Sequence, residues 1–200
     1  KENPFPAVCG RICNKACEQA CTRGIVDSSV AIDDIKKFIS DMDLDASTRF
    51  VPKMLNQIGR PSTEKIAVIG AGPAGLSCAF YLAEKGYSPM IFEKNEKPGG
   101  MLRYGIPAYR FPREKLDAEI ASILSTGVEV HTEVTVGKDI SFEQLHKDYD
   151  CLYVAIGAHT DKKTGIPGED SKNVMSAVEM LRAIGDDVMP DFTGKRVVVI

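Results

Sequence analysis

From Lys65 onward, short apolar runs alternate with longer mixed ones: "KIAVIG", the stretch from Pro73 to Lys85, "PMIFEK", "REKLDAEIASILSTG", "VEVHTEVTV" and "CLYVAIGA". The short runs have strand length and the longer ones carry apolar residues at helical spacing. Such alternation predicts an α/β unit in which helices cover a parallel sheet. Before it the pattern is helical, from Lys1 to about Met42. The stretch "DSSVAIDDIKKFISDM" offers Asp27, Ser28 or Ser29 as helix caps and sets Ile32, Ile35, Phe38, Ile39 and Met42 on one face that needs a partner. From Asp43 to Glu64 the period fades, and Gly59, Pro61, Ser62 and Thr63 are linker signals. The expected division is a helical, cysteine-containing part over residues 1–62, a Rossmann-like domain over 63–190, and the opening strand of a further domain over 191–200. That last stretch, "FTGKRVVVI", and the start at "KENPF" both look cut, so the chain reads as a fragment of a larger protein.

Composition narrows the classes. The chain has 200 residues, 44% hydrophobic and 26% charged, which suits a globular unit with a real core. Its net charge is -3 and no basic block occurs, so nothing recommends a nucleic acid as partner. No apolar stretch approaches the roughly 20 residues of a membrane span. Of the 6 cysteines, Cys9, Cys13, Cys17 and Cys21 bunch near the start, which suits a reducing, cytoplasmic setting with metal or redox use better than a disulfide framework.

Gly70, Gly72 and Gly75 fit G-x-G-x-x-G between a predicted strand and a predicted helix. In that arrangement the first glycine permits the tight turn, the second lets backbone approach a pyrophosphate, and the third lets helix and strand pack closely. The helix N-terminus supplies N–H donors and a positive dipole end. Glu93 closes the next strand at the offset of an acid that accepts hydrogen bonds from a ribose hydroxyl. Beyond it, Gly99 and Gly100 allow another close backbone approach, as an elongated dinucleotide requires.

"GAGPAGL", "EKNEKPGGMLRYGIPAYRFPRE" and "YVAIGA", in that order, resemble the FAD half of the pyridine nucleotide-disulfide oxidoreductase superfamily. "YGIPAYRFP" looks most like its glutamate synthase small-subunit branch and the N-terminal flavin part of dihydropyrimidine dehydrogenase. The resemblance implies that Gly70, Gly72, Pro73, Ala74, Gly75 and Leu76 hold the pyrophosphate of FAD. It places Glu93 at the adenosine ribose with Lys94 beside it, and Gly100, Met101 and Leu102 along the ribityl chain. It sets Arg110 toward the cofactor, Val136 at the adenine, and Ala155, Gly157 and Ala158 at the closing wall. From the residues alone, Arg110 also reads as a surface charge and Gly157 as a strand-end turn.

The cysteine spacing by itself is ambiguous. Every fourth residue on a helix makes a slowly drifting row that could hold a metal or line a core. However, "CGRICNKACEQACTRG" followed by "VAIDDIKKF" resembles the second cysteine group of the same flavoprotein branch, whose helical N-terminal region carries two [4Fe-4S] clusters. The resemblance makes Cys13, Cys17 and Cys21 candidate ligands shared with a group before Lys1, with Cys9 either unbound or the fourth ligand of a self-contained site, so a cluster is expected to be incomplete in this chain. Lys36 falls where some relatives place a non-cysteine ligand, and also reads as the polar face of a helix. Cys78 and Cys151 read as small core residues, and His131, His146 and His159 show no catalytic or metal spacing.

The expected activity is electron transfer from NAD(P)H through FAD to iron-sulfur clusters and a large catalytic partner subunit, as in glutamate synthase. The alternatives are the diaphorase module of a hydrogenase, formate dehydrogenase or quinone reductase complex, and a non-catalytic electron-transfer or interaction module whose helical N-terminus docks a partner. Most of the NAD(P)H site would lie outside this chain, and no catalytic residue is assigned.

Overall fold

The computed structural model describes residues 2–47, 49–54 and 62–200. The N-terminal part contains α1 (Pro6–Ile12), α2 (Ala16–Gln19), a 3-10 turn (Thr22–Ile25) and α3 (Ile32–Asp45). The α/β part follows as β1 (Ile66–Ile69), α4 (Pro73–Glu84), β2 (Met90–Phe92), α5 (Met101–Tyr104), α6 (Arg113–Leu124), β3 (Glu129–His131), α7 (Phe142–Asp148), β4 (Cys151–Val154) and α8 (Ala177–Gly185). Gly59 and Pro61, two of the linker signals, lie outside the described residues.

The strands pair in parallel in the order β3-β2-β1-β4, with Val68 opposite both Ile91 and Tyr153. This is half of a doubly wound arrangement. β1 is buried along its whole length because helices cover both of its faces. On one face Val68 and Ile91 pack with Leu76 and Phe80 of α4 and with Leu116, Ile120 and Ile123 of α6. On the other face Ala67, Ile69 and Phe92 meet Leu145 of α7. Two-sided burial explains why "IAVI" has no polar alternation. Pro73 opens α4 at a position where its missing N–H costs nothing.

Three local expectations fail for identifiable reasons. The run "VEVHTEVTV" yields strand only to His131: Glu133 turns left-handed (φ 59), and Val136 makes a single bridge to Ile140 instead of continuing the ladder. The run "VVVI" forms no strand, and its residues range from 56% exposed at Val197 to 96% at Ile200. A β-branched run takes strand geometry by pairing, and among the described residues no backbone pairs with it. The helix caps also differ: α3 starts at Ile32 with Ala31 before it and no side-chain cap from the Asp27–Ser29 stretch. Asp27 instead binds Arg23 and the Ser28 N–H, while Glu18 of α2 accepts from the Asp33 N–H at 2.8 Å.

The apolar stripe of α3 is turned outward, with Ile35, Phe38, Ile39 and Met42 between 48% and 66% exposed, and Asp33, Ser40 and Leu44 are the buried positions. Close approach of α1 dictates this choice. A Cβ on Gly10 would lie 2.7 Å from the Lys37 Cα, so α3 presents backbone and small or polar groups to α1 rather than its bulky stripe. Arg11 of α1 binds Asp41 of α3 across this contact at 2.7 Å.

Long-range polar contacts join the two parts. Glu119 of α6 is completely buried, and its carboxylate accepts the backbone N–H groups of Ala7 (2.5 Å) and Val8 (3.0 Å) at the start of α1. Lys115 of α6 pairs with Asp45 of α3, and Arg49 donates to the Ala118 carbonyl.

Candidate functional site

The glycine turn follows β1 directly. Gly70 has φ +107, and a Cβ there would lie 2.5 Å from the Ala155 carbonyl oxygen of the neighbouring strand's continuation. At Gly75 a Cβ would fall 1.9 Å from the Gly70 oxygen, which explains the third glycine as a packing requirement. Gly72 is less confined by itself; the tight partner is Gly100, whose φ is +52 and whose added Cβ would sit 2.7 Å from the Gly72 Cα. The two glycine-rich loops therefore touch through bare backbone. No side chain caps α4, so its first-turn N–H groups remain for solvent or a ligand beside Pro73 and Ala74.

Glu93, at the end of β2, is only 4% exposed yet borders the open cleft. Its Oε2 accepts from the Ala71 N–H at 2.7 Å, and its Oε1 accepts from the Asn95 N–H at 2.9 Å and from Asn95 Nδ2 at 2.6 Å. Those three donors fix the carboxylate in one orientation. Oε2 has capacity for a further donor, such as a sugar hydroxyl.

Around these groups lies a cleft of about 410 Å³. It brings together Gly70, Gly72, Pro73, Ala74, Glu93, Lys94, Gly100, Met101, Val136, Ala155 and Gly157, all expected from sequence. Gly75 and Leu76 are buried under the turn, and Leu102 belongs to the main core, so these three support the cleft without lining it. Arg110 and Ala158 are exposed and lie outside the lining; the Arg110 N–H closes a turn onto Pro107. Sequence reasoning missed Asn95, Thr135 and His159, which also line the cleft. For Asn95 a signal existed: it follows Glu93 by two residues, the distance at which an Asx side chain reaches back to a neighbour. The donor and acceptor set fits a phosphate-bearing dinucleotide, since the uncapped start of α4 at Pro73 and Ala74 and the oriented Glu93 carboxylate border the same cleft.

The four early cysteines do not share one helix. Cys9 lies in α1, Cys13 follows it with extended backbone, Cys17 lies in α2, and Cys21 precedes the 3-10 turn, because Lys15 adopts the left-handed region (φ 59) and breaks the run. The sulfurs meet N–H donors: Cys9 from Asn3 Nδ2 and Cys13 from the Lys15 N–H, each at 3.4 Å. Backbone donors from Val30, then Arg23 and Gly24, hold the Cys21 thiol below its ordinary pKa. Such N–H···S contacts favour thiolate ligands. Among the described residues, no three His, Cys, Asp or Glu side chains converge closely enough to hold a metal ion. Lys36 pairs with buried Asp33 at 2.9 Å, and its ammonium also lies within the field of Cys13 and Cys17, so it stands beside the cysteines rather than on a purely solvated face. Cys78 and Cys151 are not the core residues expected: Cys78 is half-buried, where burial raises the pKa of its thiol, and Cys151 is exposed because β4 is an edge strand.

Comparison with known proteins agrees with this geometry. Residues 64–200 match the model of the family described as pyridine nucleotide-disulphide oxidoreductase, and residues 1–48 match dihydropyrimidine dehydrogenase domain II, 4Fe-4S cluster. Among curated relatives, the NADP(+)-dependent formate dehydrogenase subunit beta of Moorella thermoacetica is 38% identical over 96% of this chain and 30% of its own length. The NADPH-Fe(3+) oxidoreductase subunit beta of Geobacter sulfurreducens (strain DL-1 / KN400) is 40% identical over 98% of this chain and 29% of its own. For the glutamate synthase [NADPH] small chain of Escherichia coli (strain K12) the figures are 31%, 99% and 44%. The chain thus spans under half the length of these relatives. FprA from Mycobacterium tuberculosis, solved in complex with NADPH, shares the fold at TM-score 0.59 and 24% identity, over 68% of this chain and 32% of that one. No helix of the described residues is long and apolar enough to cross a membrane. With its parallel sheet, double glycine loop and N-terminal 4Fe-4S-type region, the chain belongs to the pyridine nucleotide-disulphide oxidoreductase family of FAD- and NAD(P)H-binding proteins.

Proposed function

We propose that this chain is the flavin-holding part of an NAD(P)H-dependent oxidoreductase that passes electrons toward iron-sulfur clusters and a partner subunit. One observation carries the reading: the cleft formed by two touching glycine loops, with a buried, oriented carboxylate at its edge, belongs to a unit joined through Glu119 to the helix that bears Cys9 and ends at Cys13. FAD, when bound, would supply the chemistry that takes the two electrons of one hydride and releases them singly, with the proton going to solvent. The chain's residues bind and orient it. The first turn of α4 and the backbone of Gly70 to Gly72 would hold the pyrophosphate, and Glu93 would accept from the adenosine ribose. Met101 and Gly100 would border the cofactor's central part, while Val136 and Ala155 form apolar wall. Cys13, Cys17 and Cys21, with Cys9 in reserve, would contribute thiolates to a cluster shared with ligands from outside this chain.

The beta subunits of the formate dehydrogenase and of the Fe(3+) oxidoreductase are 38% and 40% identical, which supports a diaphorase-type module feeding a larger complex. A second reading, the glutamate synthase small subunit, draws on the small chains at 31% and 34% identity, of whose lengths this chain covers 44% in each case. In either case the working compartment would be the cytoplasm.

The test is the full-length protein. Its visible spectrum should show bound flavin that NAD(P)H bleaches, and Glu93→Ala should lower flavin retention without changing the far-ultraviolet circular dichroism. Absence of flavin together with tight NAD(P) binding at the Gly70–Gly75 turn would sink the proposal. Supplying a glutamate synthase large subunit with glutamine and 2-oxoglutarate separates the two readings: coupled glutamate formation selects the second.

A further inference from the structure

Helix α8 begins 53 positions after the last residue of α6, contains no buried residue, and contributes nothing to the lining of the cleft. Its attachment is nevertheless specific. Arg182 Nη2 donates to Asn95 Oδ1 at 2.6 Å, its guanidinium carbon lies 4.5 Å from the Tyr104 ring centroid, and its Nε donates to Asp186 Oδ2 at 3.3 Å. Beside it, a Cβ on Gly185 would lie 2.7 Å from the Tyr104 Cα and 3.0 Å from the Arg103 oxygen, so α8 rests directly on the backbone of α5. Tyr104 in turn donates to the Lys97 carbonyl at 3.1 Å, tying α5 to the loop that follows Glu93.

We propose that Arg182 is a positioning residue for the dinucleotide cleft: through Asn95 it orients the ribose-facing carboxylate of Glu93. The proposal rests on the reading that Glu93 meets the adenosine ribose of FAD. Its logic is donor and acceptor inventory. A guanidinium only donates and a carboxylate only accepts, so an amide between them has one satisfactory orientation, with Oδ1 toward Arg182 and Nδ2 toward Glu93. The guanidinium also polarises that amide and strengthens the hydrogen bond to Glu93 beyond. Lysine cannot replace it. A single ammonium cannot bond Asn95 and Asp186 while laying a planar face on Tyr104.

The experiment titrates FAD into the full-length apoprotein and follows flavin fluorescence, for wild type, Arg182→Leu, Arg182→Lys, Asn95→Leu and the Arg182→Leu, Asn95→Leu double variant. A second probe is FAD lacking the 2'-hydroxyl on the adenosine ribose. Arg182→Leu should weaken FAD binding about tenfold, the scale of one hydrogen bond to a charged group, and Arg182→Lys should not restore it. The double variant should bind no more weakly than Asn95→Leu alone, because both substitutions cut the same chain of bonds. Against the deoxy probe, wild type and Arg182→Leu should agree within about twofold. A loss as large for the deoxy probe as for FAD, or additive losses in the double variant, overturns the proposal. Asn95→Leu leaves the stacking of α8 on Tyr104 intact, so it tests the relay even where Arg182→Leu fails to fold; unchanged FAD binding there also overturns it. If wild type itself binds both probes equally, the ribose role of Glu93 falls; if wild type discriminates and Arg182→Leu discriminates equally well, only the role of Arg182 falls.

Discussion

The two parts of the chain differ in where the caps of their capped helices come from. In the α/β part, α4, α5 and α6 have no side-chain cap, but Ser141 accepts from the Gln144 N–H and Ser176 from the Glu179 N–H, each three residues along, so α7 and α8 carry caps in their own sequence. In the cysteine part, no helix has a side-chain cap of its own. α1 takes the Glu119 carboxylate from a residue 112 positions after Ala7, and α3 takes Glu18 from 15 positions before Asp33. The first part builds its elements locally and then packs them. The second has helices held by carboxylates from elsewhere, and its shape depends on its docking.

The steepest way to break the comparison is to remove the scaffold. Gly75→Val sets a side chain where even a Cβ would lie 1.9 Å from the Gly70 oxygen, and neither backbone can yield without opening the turn. The expected cost is about 3 kcal/mol or more, with loss of both flavin binding and the cooperative thermal transition. If the cysteine part depends on docking as argued, its amides lose hydrogen-exchange protection in the same variant. Protection surviving there would show that it folds alone.

Glu119→Ala separates the parts more gently. It strands the N–H groups of Ala7 and Val8 in a buried site, at roughly 1–3 kcal/mol for each unsatisfied group. Limited proteolysis should then cut within the cysteine part while flavin binding to the α/β part persists. Ser141→Ala is the local counterpart: about 1 kcal/mol, a small drop in melting temperature, and no new cleavage in the cysteine part. Equal proteolytic patterns for the two variants would erase the distinction between distant and local caps.

The same contrast explains what sequence could tell. Strands β1, β2 and β4, helices α4 and α6, and the glycine turn with Glu93 were legible because each depends on neighbours within a few residues. The pattern "IAVIGAGPAG" carries its own strand, turn and helix start. The Glu119 cap and the Arg182–Asn95 contact were not legible, since 111 or 112 positions separate one pair of partners and 87 the other. "VVVI" misled for a related reason: its residue types favour a strand, but pairing is a property of the backbone beside it. The cysteines were legible as a group. The break between Cys13 and Cys17 follows from the left-handed Lys15, a residue type that gives no warning of that conformation.

The smallest predicted effect concerns α3, where periodicity pointed to one face and the fold buries another. Amphipathic logic assigns Ile35, Phe38, Ile39 and Met42 to a core, yet Phe38 is 66% exposed and Leu44, off that stripe, is 4% exposed. If the stripe contributes no packing, then Phe38→Gln and Met42→Gln, both replacements by good helix formers, change stability by at most about 0.5 kcal/mol. Leu44→Ala, by contrast, should cost about 2–5 kcal/mol through lost burial and the cavity left behind. Chemical denaturation of the 200-residue chain reads all three. A large loss in Phe38→Gln would mean that the stripe is core in solution and that the close approach of Gly10 to Lys37 does not govern how α1 and α3 pack. A loss seen in the full-length protein and not in this chain would assign the stripe to an interface with the remaining polypeptide, reconciling its periodicity with its exposure here.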